Sequence, residues 1–160
     1  MATVQLSDAQ WQQLLAAPPA IARAVSAAAG PLKGTELELE AFVGLVDRTA
    51  HEDSSDGLLG DLAARLHASL SSGAVAAPGD DVVAEGIHAA RQAGALLAVL
   101  PDEAAARAVR LWLMRVANTV AAASREGGLL GIGGEDVSRP ERDTLNAIAD
   151  ALGLSGEPGA

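Results

Sequence analysis

The chain has no cysteine and no tyrosine, and only one phenylalanine and two tryptophans among its 160 residues. Without thiols, disulfides, thiolate metal sites and cysteine nucleophiles are all excluded. With aromatics at 2% of residues, the core must rest on Leu, Val, Ile and close-packed Ala, with Trp11, Phe42 and Trp112 as the few bulky anchors. Basic residues are also scarce: 11 Lys and Arg stand against 21 Asp and Glu, a formal net charge of -10. A surface of that sign repels phosphate backbones, so no nucleic-acid partner is expected without a local basic patch. No apolar run approaches the roughly 18 residues of a membrane span. The opening residues Met1–Asp8 show neither a basic n-region nor an apolar h-region, so no signal peptide is expected and a cytoplasmic location is the default.

What is present is helical punctuation. Ser7-x-x-Gln10 is a capping box ahead of Trp11, Leu14 and Leu15. Pro18-Pro19 predicts a break there, because a residue before proline is pushed out of the α region. A short helix follows over Ala20–Ala29 and stops at Gly30-Pro31. Thr35-x-x-Glu38 opens the next, with Leu39, Phe42, Val43 and Val46 as its apolar face. Asp56 is the expected N-cap of a helix over Leu58–Leu70, and Ser71–Gly79 is a connector rich in small residues. Asp80 or Asp81 caps a helix to about Leu100, with Val83, Ile87, Ala90, Gly94 and Leu97 on its inner stripe. Pro101 fits the first turn of a long apolar helix to about Ser124, carrying Val109, Trp112, Val116 and Val120 inward. Ser138-x-x-Glu141 caps a final helix with Leu145, Ile148 and Leu152, ending at Gly153. The pattern predicts an all-α single domain over residues 1–154, a bundle of about seven helices, with a frayed tail at 155–160.

The chain also echoes itself. Ala22–Leu45 gives an Ala-rich helix, a Gly break, Thr-x-x-Glu and an amphipathic helix; Ala117–Leu152 repeats that order with a longer insert. The echo sets Glu38 and Glu141 at matching positions and predicts an internal duplication. The insert, Gly127 to Gly134, contains Leu129, Leu130 and Ile132 between glycines. Two readings of it stand: a plug of three aliphatics folded over the bundle, or an exposed patch that docks a protein partner.

In the second half, Ala121-Ala-Ala-Ser-Arg-Glu126-Gly127, Val137-Ser138-Arg-Pro-Glu141 and Ile148-Ala-Asp-Ala-Leu152-Gly153 follow one another; the first half offers Ala27-Ala-Ala-Gly30-Pro31 and Thr35-Glu-Leu-Glu38. These segments resemble the repeat of the TerB-like family of tellurite-resistance proteins. The resemblance implies an all-α domain built from two helix–turn–helix units, with clustered acids that bind a divalent cation. It points to Glu38, Glu126 and Glu141 as oxygen ligands of the kind Ca²⁺ or Mg²⁺ takes. The competing account of Glu38 and Glu141 is local: as capping-box residues, each would bond back to its own helix start.

Other candidates are weaker. Glu85-x-x-His88 has the spacing of di-metal carboxylate bundles, but no second such pair exists. Glu52–Gly57 resembles half an EF-hand loop, with Ala63 where a bidentate Glu is needed. Arg107, Arg110 and Arg115 spread too widely for one phosphate row, and Asn118 reads as a polar bond across the apolar helix. The expected function is a non-enzymatic binding or stress-associated module of TerB-like type, taking a divalent cation or a protein partner. The alternatives are a small helical enzyme or carrier with an apolar pocket near Trp112 and Asn118, and a homo-oligomeric scaffold joined through small-residue faces.

Overall fold

The computed structural model describes residues 4–30, 35–52, 57–74, 77, 79–127 and 137–156, the side chains of residues 35 and 126 apart. Among the described residues there are six helices and no strand: α1 (Asp8–Ala29), α2 (Thr35–His51), α3 (Leu58–Ser71), α4 (Val82–Ala98), α5 (Glu103–Gly127) and α6 (Arg139–Ala151). The all-α expectation holds. The expected seventh helix does not form, because α1 runs unbroken through Pro18 and Pro19.

The continuity of α1 is a tertiary effect. Each proline lacks the N–H that would bond back to the carbonyl four residues earlier, at a cost of about 3 kcal/mol in a helix interior. Against that stands a single stripe of Leu14, Ala17, Ile21, Ala24 and Val25, all with no exposed surface. The two halves of this stripe share one face only while the helix continues. Ser7 caps α1 through the full capping box: its hydroxyl accepts from the Gln10 amide at 3.3 Å, and its amide donates to Gln10 Oε1 at 2.8 Å.

α1 makes its broadest interface with α4, where small residues let the backbones meet. A Cβ added at Gly86 would collide with Ala24 Cβ and lie 2.7 Å from the Ala20 carbonyl oxygen. One at Gly94 would strike the Ala151 carbonyl and approach Leu152 Cα at 3.3 Å, so α4 lies close to the end of α6 as well. Ala90, on the same face about one turn from each, is also fully buried. This small-residue face of α4 is therefore consumed inside the bundle.

α1 and α5 run through the centre. α2 docks on α5 and α3, and α6 docks on α4 and α1. α5 buries Val109, Trp112, Leu113, Val116, Ala117 and Val120, a helical series that continues the sequence pattern. Local starts differ from expectation in two places. Asp102 is the residue that caps α5, its carboxylate accepting from the Ala105 amide at 2.9 Å, so Pro101 lies before the helix rather than in its first turn. Asp56 lies outside the described residues, and α3 starts from Gly57, whose φ of 89° suits a residue without Cβ. Asp81 caps α4 as expected, with its carboxylate 3.0 Å from the Ala84 amide.

α2 is rotated relative to its predicted face. Phe42, Leu45 and Val46 are buried, but Leu39 is 60% exposed and Val43 38%. Their interior places go to Glu38 and Thr49, both polar. Thr49 keeps its hydroxyl satisfied by donating to the Leu45 carbonyl at 2.8 Å and accepting from Trp112 Nε1 at 2.9 Å.

Candidate functional site

Two glutamates define the most unusual chemistry of the fold. Glu38, in the first turn of α2, and Glu141, in the first turn of α6, are each only 3% exposed. Carboxylates are among the side chains least often buried unless paired, and a buried oxygen without a partner is costly by about 1–3 kcal/mol or more when charged. Here each glutamate has one such oxygen: neither Glu38 Oε1 nor Glu141 Oε1 has a hydrogen-bond partner among the described residues.

The capping account does not cover these carboxylates. Glu38 turns toward α1, where the Ser26 hydroxyl donates to its Oε2. At α6 only half of a capping box forms: the Ser138 hydroxyl accepts from the Glu141 amide at 3.4 Å. The return bond to the cap amide, present in α1, has no counterpart there. The physical reason is burial: both side chains lie on the inner side of their helices, against neighbouring elements, rather than along the helix end.

α2 and α6 do not form a packed pair; each reaches the other half of the molecule through α1 and α5. Of the third acid in the sequence-predicted set, Glu126, the side chain lies outside the described residues. So does the loop carrying Leu129, Leu130 and Ile132. Among the described residues no three His, Asp or Glu side chains form a ready-made metal cage. The unpaired oxygens of Glu38 and Glu141 are thus two ligand oxygens suited to a hard cation or to a hydrogen-bond donor.

The other candidates fall into place quickly. Glu85 reaches back to accept from the Gly79 amide at 3.1 Å, and His88 is exposed, so that pair is structural. Asn118 is exposed, while Trp112, six residues earlier, is buried and committed to Thr49. Six residues leave the two side chains about 120° apart around the helix, Trp112 toward the core and Asn118 toward solvent. Arg110 is half-buried with its Nε unpaired, in contrast to the solvated Arg107 and Arg115. Sequence reasoning missed Ser26 as the partner of Glu38, since a serine near a helix end has many uses. It also missed the meeting of His51 with His67, which are on different helices. No protein-family model matches the chain, and neither the curated proteins nor the solved structures contain a match.

Proposed function

We propose that the chain is a non-enzymatic binding module of TerB-like type, acting in the cytoplasm, whose cargo is a hard divalent cation, Ca²⁺ or Mg²⁺. Glu38 and Glu141 each offer one unpaired oxygen as a ligand, and Glu126 is the third acid of the set that the resemblance implies. The observation that carries this reading is the orphaned oxygen on each buried carboxylate. A buried, unpaired charge persists when function retains it, because a cation recovers what desolvation costs.

The internal echo of the sequence supports the same reading. Glu38 and Glu141, set at matching positions by the sequence echo, have the same 3% exposure and the same unpaired atom. The packing of α2 on α5 and of α6 on α1, about a central α1–α5 pair, fits two copies of one helix–turn–helix unit.

Thermal melts with Ca²⁺ and Mg²⁺ test the proposal. Binding to the native state alone stabilises by RT ln(1 + [L]/Kd), about 2.7 kcal/mol at a hundredfold excess over Kd. The expected result is a rise in Tm that Glu141→Gln removes. In metal-free buffer Glu141→Gln should leave the fold as stable or more so, since it neutralises an unpaired buried charge. A melting temperature that stays flat across millimolar Ca²⁺ and Mg²⁺ rejects the cation and with it this function.

A further inference from the structure

The outward side of α2 carries apolar and acidic side chains in one row. Glu36, Leu39, Glu40, Val43 and Asp47 follow the i, i+3, i+4, i+7, i+11 spacing of a single helix face, and all five are exposed. Leu39 is 60% and Val43 38% open to solvent, among the most exposed large apolar side chains of the described residues. Leu37, 47% exposed, comes two residues before Leu39 and points about 160° away from it, so it lies outside this row. The interior positions of α2 belong to Phe42, Leu45 and Val46, and the docking of α2 on α5 and α3 leaves Leu39 and Val43 in water.

The three acids of the row differ in what they face. Asp47 is occupied: its Oδ1 lies 3.3 Å from His51 Nδ1 and 3.4 Å from Nδ1 of His67, on α3. Glu36 and Glu40 have no ion pair among the described residues. They stand one turn apart, where like charges destabilise a helix. The helix dipole favours Glu36 in the first turn, but Glu40 lies a turn further in and has no such account. Two apolar side chains beside two unneutralised acids complement an apolar surface that carries cations. A second copy of this chain does not supply one: at a net charge of -10 two copies repel, and self-pairing of the row sets acids against acids or aliphatics. Anionic lipid and nucleic acid are repelled in the same way.

We propose that this row docks a basic amphipathic helix of a partner protein, one that presents Leu- or Val-sized side chains with Lys or Arg at i+3 and i+4 from them. Leu39 and Val43 pack on its apolar residues, and Glu36 and Glu40 pair with its cations at the rim. Helices recognise one another through anchors at this spacing. Two apolar side chains cover little area, so the complex is a transient one. Charge then selects the partner and speeds the encounter. Glu38 faces inward from the same helix, so docking on the outward row does not require a cation at the buried carboxylates.

The probe is a labelled synthetic helix of Leu, Ala and Lys with its Leu and Lys at that spacing; a control peptide carries Glu in place of Lys. Fluorescence anisotropy against the full chain, with chelator present, keeps this test separate from any cation binding at Glu38 and Glu141. Saturable binding of the Lys peptide that weakens with added salt is expected, and none of the Glu peptide. Leu39→Ser and the double variant Glu36→Gln, Glu40→Gln should each weaken binding by about tenfold or more. The double variant should also flatten the salt dependence. Glu103→Gln, at an exposed acid in the first turn of α5, should change nothing. Thermal melts of Leu39→Ser should match the parent. Four results each overturn the proposal. No binding of the Lys peptide removes the partner. Full affinity in Leu39→Ser, or an equal loss in Glu103→Gln, reduces the binding to cations adhering to an acidic surface. A lowered Tm in Leu39→Ser means that the chain itself covers the row. Self-association of the parent that Leu39→Ser abolishes makes a second copy the occupant.

Discussion

Where α1 meets α4, the helices touch backbone to backbone across Gly86, Ala20 and Ala24; where α2 meets α3, the meeting point carries Asp47, His51 and His67 in contact with water. The first interface offers no group with chemistry and tolerates no added atom. The second has titratable side chains from two helices and spare room around them. The contrast extends along α2, whose outer side leaves Leu39 and Val43 exposed and whose inner side holds Glu38 and Thr49. Close packing thus dominates where α1 meets α4, and titratable side chains gather where α2 meets α3. A chain poor in aromatics reaches this division because alanine and glycine fill a seam only by close approach, which leaves no space there for a site.

The sharpest way to break the comparison is Gly86→Val. Its Cβ would collide with Ala24 Cβ and sit 2.7 Å from a backbone oxygen that cannot swing aside. Helix propensity favours losing the glycine, but overpacking should win and cost about 3 kcal/mol in urea denaturation. A variant as stable as the parent would mean that the α1–α4 seam is looser than described. Trp112→Phe should cost less, about 1–2 kcal/mol, since it removes one buried hydrogen bond to Thr49 while most of the ring volume stays. Thr49 still donates to the Leu45 carbonyl, which limits the loss. Leu39→Ser should have the smallest effect, within about 0.5 kcal/mol, because that side chain is already mostly in water. A loss of 2 kcal/mol or more there would show that α2 buries the face its sequence pattern suggests.

Much of the site was legible at the level of position and little at the level of environment. The matching of Glu38 with Glu141 came from the Thr-x-x-Glu and Ser-x-x-Glu spacing, which also explained both residues as caps. What spacing cannot convey is that these side chains are buried and that each keeps an unpaired oxygen. That depends on how deeply α2 and α6 sink between α1 and α5, a matter of several helices at once. The histidine pair was illegible for a related reason: His51 and His67 are sixteen residues apart with no shared motif, and only the packing of α2 on α3 brings them together.

By itself, the amino-acid order determined the helical class, most helix starts and the inward series of α5. Capping residues, 3.6-residue periodicity and the lack of strand-forming runs all act within a few residues of one another. Asp81 before α4 and Ser7 before α1 needed nothing from the rest of the chain. Tertiary structure decided three things that local rules miss. It carried α1 through Pro18 and Pro19, because one continuous buried stripe outweighs two missing hydrogen bonds. It rotated α2 so that Glu38 faces inward while Leu39 faces out, because the neighbours α1 and α5 and not the helix itself define the interior. And it gathered Asp47, His51 and His67 at one corner, since contacts between helices depend on where whole helices dock, which no single segment encodes.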